Sequence, residues 1–230
     1  MITLYHGTDH IIKKPSFDLG KPTNDYGKGF YCTRLLDMAK EWACKDNTDG
    51  FANKYSFDEC GLNILNLLDG QHTVLNWIAV LLKHRIFTIQ DEIARDARDY
   101  IIEHFSVDTQ NYDVVIGYRA DDSYFSYAQS FVSNALPLRS LNKALQLGKL
   151  GEQVVLMSEK AFTQIDFVNA EPVSKDIYFP KFIARDTAAR KSYQTEIRKS
   201  KSYREDIFVM DILREGIGNG DTRIQRIVLE

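Results

Sequence analysis

No stretch of this chain restricts its fold more than Tyr26-Gly27-Lys28-Gly29-Phe30-Tyr31-Cys32-Thr33. Gly27 and Gly29 admit backbone angles that other residues avoid, and the four residues after them suit a pleated ribbon, so the stretch predicts a glycine turn feeding a short strand. Side chains alternate along a strand. Tyr31 therefore shares a face with Gly29 and Thr33, while Phe30 and Cys32 point the other way. A large aromatic between a glycine and a small hydroxyl residue either fills a core or floors a pocket for a flat ring. A helix is expected directly afterwards, from Leu35 to Cys44, with Met38, Ala39, Trp42 and Ala43 as its apolar stripe. Folded back over the strand, that stripe carries Trp42 inward and toward Tyr31, as core tryptophan or as a second wall.

Upstream, Ile2, Leu4 and His6 alternate with Thr3 and Tyr5, which predicts a strand ending in His6 on the core side. His6 is there as a hydrogen-bonded structural residue or as a reactive one. Gly7 lets another group approach the backbone closely, and Thr8 offers a hydroxyl. His10 lies four residues on, but that spacing gathers metal ligands only on a helix, and Gly7 after a strand argues against one. No metal site is expected.

Downstream, Tyr55 and Phe57 alternate with polar neighbours, Cys60-Gly61 makes a break, and Leu62 to Leu67 continues the apolar run, which predicts a hairpin. Helical periodicity takes over at Thr73, with Val74, Trp77, Ile78, Leu81 and Leu82 on one face. A second helix is expected from the capping sequence Thr88-Ile89-Gln90-Asp91, carrying Ile93, Ala97, Tyr100, Ile101 and His104. Val114-Val115-Ile116 predicts a short buried strand. Asp121 and Asp122 then cap the next helix, or bind a ribose or an arginine. A helix from Leu138 to Leu147 and a turn between Gly148 and Gly151 lead to the strand Glu152-Gln153-Val154-Val155-Leu156-Met157. That strand puts Glu152 and Gln153 on opposite faces, and whichever points inward is a costly buried group or a functional one. One helical turn at Glu159 to Phe162 and a strand from Ile165 follow.

From Glu171 the texture changes. Residues 181–204 carry eight Lys or Arg against Asp186 and Glu196. A basic helix is expected from Thr187, capped by Asp186. Such a helix is a solvated face, or it contacts nucleic acid or an acidic partner. Asp206 to Leu213 predicts a last strand or helix. Gly216-Ile217-Gly218-Asn219-Gly220 leaves no room for a βαβ unit and is read as a turn.

The composition bounds the class. A 230-residue chain with 44% hydrophobic residues can bury a full core with an appendage. Its 29 basic and 32 acidic residues leave a formal charge of -3, which marks it as neither a nucleic-acid nor a membrane binder overall. Cys32, Cys44 and Cys60 are an odd count without CxxC spacing, which fits buried thiols in a reducing compartment. The N-terminus lacks the basic and apolar regions of a signal peptide. The longest apolar run, Trp77 to Leu82, is far short of the ~20 residues that cross a bilayer. A cytoplasmic protein without membrane partners is the expectation.

Three pieces recur in a familiar order: Leu4-Tyr5-His6-Gly7-Thr8; Tyr26 to Tyr31 with Trp42 after it; and Gly151-Glu152-Gln153-Val154-Val155. This pattern resembles the ADP-ribosyltransferase superfamily, in its histidine-tyrosine-glutamate branch that includes poly(ADP-ribose) polymerases. The whole chain resembles the bacterial family DUF3990, on Asp113 to Gly117 with Ala120-Asp121-Asp122, Gln153 through Ala161, and Tyr178-Phe179-Pro180 with Arg185-Asp186 and Ala189-Arg190. The resemblance implies an α+β fold of split antiparallel sheets, with residues 1–170 as the transferase-like domain, a helical insertion at about 73–105, and a basic helical extension over 171–230 packed on it. It also implies NAD as a substrate, without a metal. His6 would bond a ribose hydroxyl, the Gly7 backbone would hold the nicotinamide amide, Thr8 would lie among the cofactor-binding residues, and Tyr31, beside Gly29, would stack on the ring with Trp42 closing the other side. The superfamily pattern places the catalytic carboxylate at Glu152, whereas the DUF3990 pattern is anchored on Gln153. Ala39 stands where polymerase relatives carry a serine. The implied activity is mono-ADP-ribosylation of a protein or nucleic-acid acceptor, by a toxin with a neighbouring antitoxin. The alternative is a catalytically inactive module that binds NAD, ADP-ribose or nucleic acid.

Overall fold

The computed structural model describes residues 1–45, 48–89, 91–120, 122–147, 151–199 and 206–225. In chain order the elements are β1 (Ile2–Thr8), β2 (Phe30–Cys32), α1 (Leu36–Ala43), β3 (Gly50–Phe57), β4 (Ile64–Asn66), α2 (Val74–His84), α3 (Glu92–Phe105), β5 (Val114–Tyr118), α4 (Asp122–Val132), α5 (Leu138–Leu147), β6 (Glu152–Leu156), α6 (Glu159–Phe162), β7 (Ile165–Val173), α7 (Lys175–Lys199), α8 (Val209–Glu215) and α9 (Thr222–Gln225). The architecture is α+β, with two sheets. No described helix is long and apolar enough to cross a membrane. The chain divides into two compact units.

The first unit comprises Met1–Asn66, Thr109–Tyr118 and Leu150–Thr187 and contains both sheets. One has the order β1-β3-β7 and is antiparallel throughout; the other has the order β2-β6-β5-β4. Leu4, Tyr55 and Phe57 of the first meet Phe30, Cys32, Val114, Ile116, Val154 and Leu156 of the second in one apolar core. Strand periodicity explains it, because each of these residues is two positions from the next on its own strand. A main-chain bridge between Tyr5 and Thr33 ties the edge of one sheet to the other. On the outer face of the first sheet, Ala39 and Ala43 of α1 pack with Cys44, Ala52 and Val173. Gly50 admits the helix closely, since a Cβ there would lie 2.1 Å from the Ala43 carbonyl oxygen.

The second unit comprises Leu67–Asp108, Arg119–Lys149 and Ala188–Glu230, and among the described residues its named elements are helices. Thr73 and Asn76 form the capping box of α2, whose residues Val74 to Leu82 are all buried. The Asn76 amide also donates to the Phe105 carbonyl at the end of α3, 2.9 Å away. Gly216 ends α8 in the left-handed region at φ 62°, the usual use of glycine past a helix terminus.

Several expectations change. The apolar segments around Phe57 and Leu65 are not a hairpin: β3 belongs to one sheet, and β4 pairs parallel with β5 in the other. A parallel pair needs a long crossover, which α2 and α3 supply, so the sheets are not wholly antiparallel. Helix α3 begins at Glu92, not near Thr88, because the Asp91 side chain accepts from the Ala94 amide at 2.7 Å. The basic helix begins at Lys175 rather than Thr187, and Asp186 lies inside it. Its first turns find an apolar surface in Tyr178 and Phe179 against α1, which extends helix where the pattern of charge alone shows none. The segment from Asp206 resolves as the helix α8. Gln90, Asp121, Gly148, Lys201 and Arg204, and the side chains of Asp122, Glu196, Arg198 and Lys199, lie outside what is described, and the capping and basic-face expectations on them with it.

Candidate functional site

His6 is near the end of β1, opposite Asn53 of β3. Its Nδ1 lies 2.6 Å from the Tyr31 carbonyl oxygen. A carbonyl only accepts, so Nδ1 carries the proton and Nε2 keeps a lone pair. The ring rests against Phe30, with centroids 4.5 Å apart. Burial lowers the His6 pKa; the bond to the Tyr31 carbonyl opposes this, and His10 nearby adds to it. The imidazole is thus a neutral hydrogen-bond acceptor near pH 7. Asn53 is wholly buried, and its side chain donates to the carbonyls of His6 and His10 and accepts from the Ile12 amide. Sequence reading passed it over, although an asparagine in the apolar alternation of β3 was a visible signal. It fastens the chain that turns back after β1. Thr8 and His10 both bond Asp9 and remain at the surface side of this turn. No described group of His, Cys, Asp and Glu is arranged to hold a metal ion.

Gly7 faces α1, and a Cβ there would meet the Ala39 carbonyl oxygen at 1.8 Å. The helix therefore sits directly on the β1 backbone, and Ala39 is wholly buried. Met38, Ala39 and Ala43 of the expected stripe of α1 are buried, whereas Trp42 is only half-buried. Glu41, on the opposite side of the helix, is buried as well, because Arg185 of α7 donates from Nε to Glu41 Oε2 at 2.8 Å.

Tyr31 curls back over its own turn. Its hydroxyl donates to the Gly27 carbonyl at 2.7 Å and accepts from the Tyr26 amide at 3.0 Å. Gly27 has φ 81°, the left-handed angle that this tight closure demands. Tyr26 is wholly buried, and its hydroxyl donates to the Tyr118 carbonyl at 2.6 Å. Its phenolic end closes on Gly117, where a Cβ would come within 2.1 Å of the phenolic oxygen. Gly29 is equally confined, with space for a Cβ only 2.7 Å from a Val155 methyl.

Strand β6 separates the two candidate polar residues. Tyr31 pairs with Val155, so Val155 and Gln153 share its face, and Gln153 stands opposite Gly117 of β5. Glu152 shares the other face with Val154 and Leu156, which belong to the inter-sheet core. There its carboxylate accepts from Arg34, whose guanidinium also reaches Glu59 at 3.5 Å. Gln153 is only 5% exposed, and its Oε1 is buried without a hydrogen-bond partner among the described residues. A buried carbonyl oxygen left in this way is costly unless a ligand completes it. The fold thus joins Tyr26, Tyr31, Gly117 and Gln153 on one face, with His6 anchored to the Tyr31 main chain. It does not bring Glu152 onto that face.

Residues 2–167 match the model of the family DUF3990, described as a protein of unknown function. No curated protein and no solved structure matches the chain.

Proposed function

The chain belongs to the DUF3990 family, and from that premise and the site's geometry we propose that it is an NAD-using mono-ADP-ribosyltransferase acting on a macromolecular acceptor. The observation that carries the reading is the unpartnered, buried carboxamide oxygen of Gln153 on the face of Tyr31. The nicotinamide ring of NAD carries a positive charge and leaves as neutral nicotinamide with the electron pair of the scissile bond, so that bond is already weakened when NAD binds; the acceptor's nucleophile bonds to the freed sugar carbon and gives up its proton. Gln153 Oε1 accepts a ribose hydroxyl and turns its carbonyl dipole toward the positive charge that grows on the sugar. His6 Nε2, left with a lone pair because Nδ1 carries the proton, accepts a hydrogen bond from a second hydroxyl. Tyr31, fixed at its hydroxyl by Gly27 and Tyr26, offers a ring face that does not need to be ordered on binding. Gly7 presents main-chain polar groups, and Trp42 closes the opposite side of the nicotinamide.

A neutral carboxamide stabilises a developing cation less than a carboxylate does, and one such preorganised group is commonly worth ~10²–10³ in rate. Slow turnover is expected. The same observation favours a second reading, in which the site binds NAD or ADP-ribose without cleaving it. Nicotinamide release from NAD by the purified chain separates the two, run beside Gln153→Glu, Gln153→Ala and Glu152→Gln. The transferase reading expects measurable release, a gain in Gln153→Glu, loss in Gln153→Ala and little change in Glu152→Gln. Binding without release in every variant leaves the reader module. Loss in Glu152→Gln alone overturns the assignment of Gln153.

A further inference from the structure

We infer that Arg185 is a positioning residue for the site, acting through Glu41 on the orientation of Trp42; this rests on the functional reading just given. Helix α1 has eight residues, and its N-cap residue Leu35 makes no side-chain capping bond. A helix this short holds its place through packing rather than by its own hydrogen bonds. Its closest approach to the sheet is through Ala39 and Ala43, set on the backbones of Gly7 and Gly50, with Leu36 packed beside them. Small residues on glycines bring the helix close to the sheet but offer little to resist its turning about its own axis. The resistance comes from the outer side, where α7 supplies it. The Arg185 and Glu41 side chains are 17% and 10% exposed and joined by a directional Nε–H bond of 2.8 Å. One residue earlier on the helix, Lys40 bonds Glu171 of β7 at 2.8 Å. These two attachments immediately precede Trp42 and set the face on which it emerges. A buried ion pair is a poor source of net stability, since apolar residues of similar volume often do as well, but it is directional. Orientation is what it contributes here.

Residues 168–187 lie beyond the family match, which ends at residue 167 inside β7. Yet Glu171 and Val173 continue the pairing of β7 with Ala52 and Gly50, and the Lys175 amide donates to Asp49 at 2.8 Å. The functional body therefore extends to the first half of α7.

The experiment compares wild type with Arg185→Gln, Glu41→Gln and the uncharged pair Glu41→Gln/Arg185→Met in the full chain. The readouts are melting temperature, acrylamide quenching of tryptophan fluorescence, and nicotinamide and NAD affinity. Trp77 is 0% exposed, so quenching reports Trp42 alone. Each single variant leaves a charge without its partner and is expected to melt earlier. The uncharged pair recovers the melting temperature, while its Trp42 stays more accessible to acrylamide and its NAD affinity stays on the order of tenfold weaker, the scale of a small misplacement. Recovery of wild-type quenching by that pair overturns the inference and leaves a purely structural ion pair. If the wild type binds neither nicotinamide nor NAD, the proposed function falls, and the quenching comparison still decides whether Arg185 orients Trp42.

Discussion

Replacing Gln153 by methionine separates a functional carboxamide from a structural one. The side chain is 5% exposed, and its Oε1 has no partner among the described residues. A buried polar group in that state costs about 1–3 kcal/mol. Methionine is unbranched, has nearly the same length, and fits gaps in apolar surroundings such as Val155 on the same face. It removes the unsatisfied oxygen and leaves a void of about one heavy atom, which takes back about 0.5 kcal/mol at the usual cavity cost. The net expectation is a gain of about 0.5–2.5 kcal/mol. In a chain of this length each kcal/mol moves the melting temperature by roughly 2–4 °C, so Gln153→Met should melt roughly 1–10 °C higher. NAD binding, followed by calorimetric titration, should fall below detection in the same variant. This is the trade between stability and activity expected where a fold keeps a polar atom for a ligand. Destabilisation by more than about 1 kcal/mol, with NAD affinity intact, refutes the reasoning and makes Gln153 a packing residue.

Gly117→Ala forces a methyl to within 2.1 Å of the Tyr26 hydroxyl, and overpacking of this kind costs about 1–3 kcal/mol. Tyr26→Phe in the same chain should relieve part of it, giving a coupling of at least about 0.5 kcal/mol in a double-mutant cycle by denaturant unfolding; strict additivity would mean that the two residues are not in contact. The pKa values of His6 and His84 are lowered in the fold, mainly by burial. Between the folded pKa and the unfolded value of ~6.5 the unfolded chain binds more protons, so their contribution to stability is complete above pH ~6.5 and lost as pH falls below it. His6→Gln should flatten that loss in melting curves recorded from pH 8 to 5, whereas an unchanged slope would assign it to other groups. Asn53→Asp replaces an amide that donates to two carbonyls by a carboxylate that repels them. A loss of about 2–3 kcal/mol is expected, with faster amide exchange at Ile12; unaltered exchange there would show that the turn after β1 holds itself.

Much of the fold was legible in the order of residues. The alternation of Ile2, Leu4 and His6 and the helical spacing of Val74 to Leu82 each appear as β1 and α2. The short strand from Glu152 and the helical turn at Glu159 to Phe162 were legible too, because a β-branched run and a single helical turn are local properties. The burial of Glu41 and the half-burial of Trp42 in α1 were not. The pattern offers Trp42 as a natural inward residue, and it is Arg185, 144 positions away, that makes the burial of Glu41 tolerable. The early start of α7 was hidden likewise, since Tyr178 and Phe179 find their apolar surface on α1, far off in sequence.

By itself the sequence determined that Glu152 and Gln153 point to opposite sides and that Phe30 and Tyr31 do the same, because alternation is a property of any extended chain. Which of each pair shares a face was decided only when β2 paired with β6 in the register that sets Tyr31 against Val155. A slip of one residue would have exchanged Gln153 for Glu152 and an amide for a carboxylate. That register is held by contacts between residues more than a hundred positions apart: Phe30 and Cys32 packing with Val154 and Leu156, and Gly29 closing on Val155. Such contacts exist only once the sheets have assembled, and so the chemistry of this face belongs to the tertiary structure.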